Sequence, residues 1–216
     1  MEQALCPVVT LNRHAAMILL VLNLLLFQSP YHGIAIGCWI LWGVSEWGHS
    51  ILLQDTGADS RNKYSTLGIY TTVFMLFFIY SFTPYFPAYL VFKASAAALF
   101  IVGLVIFWGG FLLRWTSIYL MGNAFSRKIK VEPDQKIIKR GPFGYIRHPN
   151  YLAGLMTFFG LALMFGSWIS LGVIGAMSLI VYLYRIHVEE NFLRQNLDGY
   201  HAYCKEVRYR LIPFIF

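Results

Sequence analysis

Apolar positions in this chain come in long blocks separated by short polar breaks. The blocks cover residues 15–27, 33–53, 66–82, 88–121, 151–165 and 168–186. An α-helix rises 1.5 Å per residue, so about 20 apolar residues cross a hydrocarbon core of about 30 Å. The pattern therefore predicts an all-α integral membrane protein with about five transmembrane helices, six if every block crosses. The first block follows Arg13 and resembles a signal-peptide core. Gln28-Ser29-Pro30-Tyr31-His32 offers no small-residue cleavage site, however, so the block reads as a short first membrane helix. Gly33 and Gly37 give the second helix a small-residue face on which another helix could approach closely. The block 88–121 is longer than a bilayer core. It should project past the headgroups with Arg114, Trp115 and Tyr119, and Gly109-Gly110 is a point where it could bend. Only Gly166-Ser167 separates the last two blocks, which predicts a helical hairpin. The tail, 187–216, alternates charge with aromatics and reads as short amphipathic helices on the cytosolic membrane surface.

Composition agrees with this pattern. Apolar residues make up 58% of the 216 positions and charged residues only 12%, against about 25% charged in soluble domains. One membrane domain is expected over 1–216, with membrane helices in 1–111 and the chemistry in 112–216. Lys and Arg number 17 against 10 Asp and Glu. That excess fits loops beside anionic lipid headgroups better than nucleic acid. The basic residues fall almost wholly on one side: the Arg13 end, the Arg61/Lys63 loop, 122–147 and the tail. The breaks at 29–32, 83–87 and 166–167 contain no Lys or Arg. The positive-inside rule thus puts both termini and both chemically rich segments in the cytosol. Cys6, Cys38 and Cys204 are too scattered for a metal site or a disulfide framework, and no obligate protein partner is evident.

The richest stretch is Arg140-Gly-Pro-Phe-Gly-Tyr-Ile-Arg-His-Pro-Asn-Tyr151. Its prolines and glycines impose an irregular backbone. Pro149 is suited to the first position of the following helix, with His148 just before it. A helix start at a membrane surface can hold a charged small molecule; the simpler alternative is a basic interfacial loop. In the second cluster, Tyr184 to Leu193, Arg185 and Glu189 share one helix face. They could be an exposed salt bridge where the helix leaves the bilayer, or a substrate clamp. Glu46 and His49 lie near the end of the second helix. Ionisable groups there are candidates for substrate binding, unless both simply reach water at the surface.

Taken together, the strings at 141–151, 185–193 (Arg-Ile-His-Val-Glu-Glu-Asn-Phe-Leu), 200–203 (Tyr-His-Ala-Tyr) and 210–215 (Arg-Leu-Ile-Pro-Phe-Ile) resemble the isoprenylcysteine carboxyl methyltransferase family of membrane methyltransferases. The likeness covers roughly 112–216. It implies S-adenosylmethionine in a cytosolic pocket, with a lipophilic acceptor entering from the surrounding membrane lipids. Carried onto this chain, it implies that Tyr145, His148, Pro149, Tyr151 and Leu152 hold the cofactor, with backbone contacts from Ile138 and Gly141. Glu189 and Glu190 would face its amino group, and Arg185 would orient the acceptor carboxylate. The family's Asp-His-x-Leu reads Asp134-Gln135-Lys136-Ile137 here, which bears on the adenine contacts.

Methyl transfer to a carboxylate is a direct displacement that needs in-line placement and no general base. The lack of a nucleophile–base dyad is therefore consistent with it. The expected function is O-methylation of an isoprenylcysteine-like carboxylate, with no metal. Two other chemistries share parts of the pattern. One is NADPH-dependent sterol reduction, which shares Arg-His-Pro-Asn-Tyr and the ending at Tyr203–Pro213. The other is methylation of a phospholipid amine or a small thiol.

Overall fold

A computed structural model describes residues 30–52, 71–73, 96–122, 125 and 135–213. The expected first membrane helix, 15–27, and most of the third, 66–82, lie outside the described residues. Every named element among the described residues is helical: α1 (Pro30–Leu52), α2 (Ala96–Met121), a 3-10 turn (Gly141–Gly144), α3 (Pro149–Met164), α4 (Trp168–Asn196) and α5 (Tyr200–Glu206). Among the described residues, two stretches are long and apolar enough to cross a membrane, Ala97–Met121 and Trp168–Asn196, and two shorter helices are apolar over Gly33–Glu46 and Pro149–Met164.

The hairpin forms as the pattern predicts. Gly166 turns the chain at φ 72°, a left-handed conformation that glycine adopts without cost. Ser167 then caps α4, its hydroxyl accepting from the Ser170 amide. Residues 187–196 are not a separate surface helix but the last turns of α4. The Arg185–Glu190 cluster therefore rides on the same rigid rod as the membrane segment. Among the described residues of the tail, α5 is the one short helix of the kind expected.

The main packing contact joins α2 to α3, and glycines set its distance. A Cβ on Gly110 would sit 2.7 Å from the Ala153 carbonyl oxygen, and one on Gly160 would sit 2.6 Å from both the Gly103 oxygen and the Phe107 nitrogen. The backbones touch because no side chain intervenes, the usual device where helices meet in lipid. The sequence reading placed such a face at Gly33 and Gly37. Among the described residues, nothing comes within 4 Å of a Cβ at either position. Gly110 serves close packing rather than a bend, and α2 runs unbroken through it. One core joins α1 through α4: Trp42 meets Phe158 edge-on at 5.4 Å, and Phe107, Leu161, Ile174, Ile186 and Leu211 are fully buried. Val44, Val105, Leu112 and Ile180 point outward, as expected of lipid-facing positions.

Candidate active site

Where α3 begins, three segments converge: the 3-10 turn, the C-terminal end of α4, and residues 200–211. The turn needs Gly141 at φ 61°, where a Cβ would press on the Leu120 side chain at 2.7 Å. The chain then runs extended beside the tail in a parallel bridge, Ile146 to Tyr209. The Arg147 amide donates to the Tyr209 oxygen and the His148 amide to the Arg210 oxygen, both at 2.9 Å. Pro149 opens α3 with His148 in the cap position, as expected from the sequence. The amides of Arg147 and His148, just ahead of the helix, are thus taken up by the tail. Below it, the Tyr203 hydroxyl donates to the Phe143 oxygen at 2.7 Å. Burial pushes the Tyr203 phenol up to about 12 and raises that of Tyr200 as well, so both stay neutral at physiological pH.

Glu190 is the electrostatic centre of this junction. It is 3% exposed. Arg147 Nε donates to its Oε1 at 2.7 Å, and His148 Nε2 lies 3.4 Å from the same atom. Arg194 and Arg210 approach Oε2 at 3.3 and 3.2 Å. Arg147 also donates from Nη1 to the Val207 and Arg208 carbonyl oxygens, at 2.8 and 3.0 Å. A planar guanidinium can satisfy a carboxylate and two carbonyls at once, which an ammonium cannot. One buried anion therefore ties the motif, α4 and the tail together.

A second cluster sits one turn along. Tyr151 stacks on His148, with ring centroids 5.4 Å apart and planes inclined by 11°. Its hydroxyl donates to Glu189 Oε2 and accepts from Arg185 Nε at 2.9 Å. The Arg185 guanidinium also lies 5.6 Å from the Tyr151 ring centroid, a cation–π distance. Tyr182 closes the cluster 5.5 Å from Tyr151, in space left by Gly154. Arg185 is 8% exposed. The exposed surface bridge that sequence spacing allowed is therefore not what forms: Arg185 and Glu189 meet at a tyrosine inside the protein.

Of the residues singled out from sequence, His148, Pro149, Tyr151, Arg185, Glu189 and Glu190 are brought together, with Leu152 half-buried in the same first turn of α3. Ile138 is half-buried in the segment leading to Gly141. Tyr145 stands apart: it is 75% exposed while its neighbours Phe143 and Ile146 are buried. Glu190 differs from its expected part, because its carboxylate is committed to protein cations. Glu46 does not simply face water. Arg114 Nε and Nη2 both donate to its carboxylate, the latter at 2.7 Å. The His49 side chain lies outside the described residues. The sequence reading missed Arg114, Asn150, Tyr182 and Arg210 as members of the site. Arg114 alone carried a signal, as a lone charge late in an apolar helix.

Residues 98–198 match the family model for phospholipid methyltransferase. That range takes in α2 from its third residue on, the whole 140–151 stretch, α3 and α4. Among solved structures, the chain is similar to a eukaryotic intramembrane Ras methyltransferase, isoprenylcysteine carboxyl methyltransferase. The two share 21% identity and superpose with a TM-score of 0.64 over 93% of this chain and 76% of that one. At that identity the likeness is one of fold. Among curated proteins it is similar to the uncharacterized protein YpbQ of Bacillus subtilis (strain 168), at 22% identity over 84 residues. Those residues are 39% of this chain, which covers about half the length of that relative.

Proposed function

We propose that this chain, whose residues 98–198 match the phospholipid methyltransferase family model and whose fold is like that of an intramembrane isoprenylcysteine carboxyl methyltransferase, is a membrane methyltransferase with one specific reaction. It transfers a methyl group from S-adenosylmethionine to the carboxylate of a lipophilic acceptor of isoprenylcysteine type. The observation that carries this reading is the partly buried convergence of Arg185, Tyr151 and Glu189 at the end of a membrane helix. A lipid acceptor's polar head and a water-soluble cofactor can meet there.

The residues present fit the cofactor. The His148–Tyr151 stack brings aromatic surface to the junction, and Tyr151 is half-buried, so a sulfonium can approach its ring. Glu189 is half-buried, and its Oε1 carries no hydrogen bond among the described residues, so it can accept from an ammonium group. Glu190 fixes the backbone around them. When bound, S-adenosylmethionine supplies an electrophilic methyl whose bond to sulfur breaks as the bond to the acceptor oxygen forms.

Arg185 holds the carboxylate through a planar donor fork and fixes its angle of attack. One positive and one negative charge disappear together in this displacement. A dry, low-dielectric pocket favours that neutralisation and disfavours the separated ions. Arg185 keeps its Tyr151 and Glu189 partners in the cluster, which limits how strongly it stabilises the ionised acceptor before reaction. The methyltransferase family match favours this reading over the reductase that Arg-His-Pro-Asn-Tyr alone would also suit.

Calorimetry of the purified protein in lipid nanodiscs should show binding of S-adenosylmethionine and S-adenosylhomocysteine and none of NADPH. Methyl transfer should then be seen to a prenylcysteine carboxylate rather than to a phospholipid amine or a small thiol. NADPH binding would replace the reaction class, and transfer to an amine alone would replace the acceptor. The same reading places the site on the Lys/Arg-rich, cytosolic side of the membrane. Single cysteines introduced at positions 135 and 199 should be labelled from the cytosol, and labelling from the opposite face would overturn that topology.

A further inference from the structure

We infer that Glu46, Arg114 and Asn150 form a latch that positions the cofactor-side start of α3. Glu46 is therefore a positioning residue for methyl transfer although it lies outside the family-matched region. Three helices meet at Arg114. Its Nε and Nη2 donate to the Glu46 carboxylate on α1, and its Nη1 donates to Asn150 Oδ1 on α3 at 2.8 Å. The side chains of Arg114 and Glu46 are 15% and 20% exposed, so water competes weakly for them.

The target of the latch gives it a role beyond stability. Asn150 lies between Pro149, which has no amide hydrogen to anchor it, and Tyr151, whose hydroxyl holds Arg185 and Glu189. The amides of Tyr151 and Leu152 both close on the single His148 oxygen, at 3.1 and 3.2 Å. A first helical turn of this kind has few bonds of its own. The Arg114 contact is a side-chain tether that links it to α1 and α2. A fork held on two sides by Glu46 presents its third donor group in a fixed direction. Neutralising Glu46 frees that fork to rotate. The Tyr151 ring, and with it the Arg185 and Glu189 geometry, then loses one of its fixed supports.

The cofactor part of this inference rests on the methyltransferase reading, and the test separates the two. Amide hydrogen exchange over residues 148–155 is measured in nanodiscs for the wild type, Glu46→Gln, Glu46→Asp and Asn150→Ala. Affinity for S-adenosylhomocysteine is measured on the same samples. Glu46→Gln and Asn150→Ala should each speed exchange in 148–155 about tenfold and weaken the ligand roughly tenfold, given what small misplacements cost. Exchange over 170–180 in α4 should not change. Glu46→Asp, which keeps the charge, should fall between them and the wild type. Asn150→Ala leaves the ion pair intact, so it decides the matter if Glu46→Gln does not fold. A lower melting temperature with unchanged ligand affinity and unchanged local exchange would reduce the trio to an ordinary structural ion pair. A wild type that binds no S-adenosylhomocysteine would overturn the cofactor reading, and local exchange alone would then decide the latch.

Discussion

Replacing Glu190 with alanine should abolish cofactor binding and lower the melting temperature by roughly 10 °C, for a loss of about 3–5 kcal/mol. The expectation follows from what the carboxylate leaves behind. Arg147 keeps its carbonyl contacts but loses its counter-ion while buried, and Arg194 and Arg210 then repel it across the vacated space. Breaking one side of a buried pair is costly because the remaining charge cannot recover its hydration. Glu190→Gln keeps the shape and some hydrogen bonding, so it should lose less stability. It should still bind S-adenosylhomocysteine poorly, because His148 and the 146–148 backbone lose their common anchor. Thermal unfolding in detergent together with calorimetry reads both effects. A Glu190→Ala protein that melts within about 2 °C of the wild type would show that the cluster contributes little to the fold.

The second large effect is on turnover. Arg185→Lys should reduce methyl transfer about 100-fold while leaving S-adenosylhomocysteine affinity within a few-fold of the wild type. Lysine keeps the positive charge near Tyr151 and Glu189 but cannot grip a carboxylate at two points. Arg185→Ala should lose at least as much activity. It is the less clean experiment, because a buried side chain with a bond to Tyr151 also contributes to stability, by about 1–3 kcal/mol. Near-normal turnover in a folded Arg185→Lys protein would remove Arg185 from the reaction. Loss of cofactor binding in the same protein would move its role from acceptor to cofactor.

Much of the fold was legible because lipid makes simple demands. Long apolar blocks had to be helices, Gly166-Ser167 had to be a turn, and Pro149 had to open α3. The candidate residues were legible to the extent that a motif spells them out in order. Burial and partnership were not. Glu189 and Glu190 are adjacent in sequence, and adjacent positions on a helix face directions about 100° apart. One therefore turns to the Tyr151 hydroxyl and the other into a cage of cations. Nothing in the sequence says which. Tyr145 looked equivalent to Tyr151, but the 3-10 turn buries Phe143 and Ile146 and leaves Tyr145 outside. The close approach of α2 and α3 was invisible for a related reason. Small residues recur throughout the chain, and only the partner helix distinguishes Gly110 and Gly160 from Gly33 and Gly37.

The parallel bridge between Ile146 and Tyr209 has a consequence for biogenesis. The segments it joins lie about sixty residues apart and flank the whole α3–α4 hairpin. That hairpin must enter the bilayer before its two ends can return to the same side and meet. Membrane insertion and completion of the pocket are thus successive events, and during synthesis the chain passes through an inserted but inactive stage. Arg147 gains its Val207 and Arg208 carbonyl partners only once the tail has returned to it.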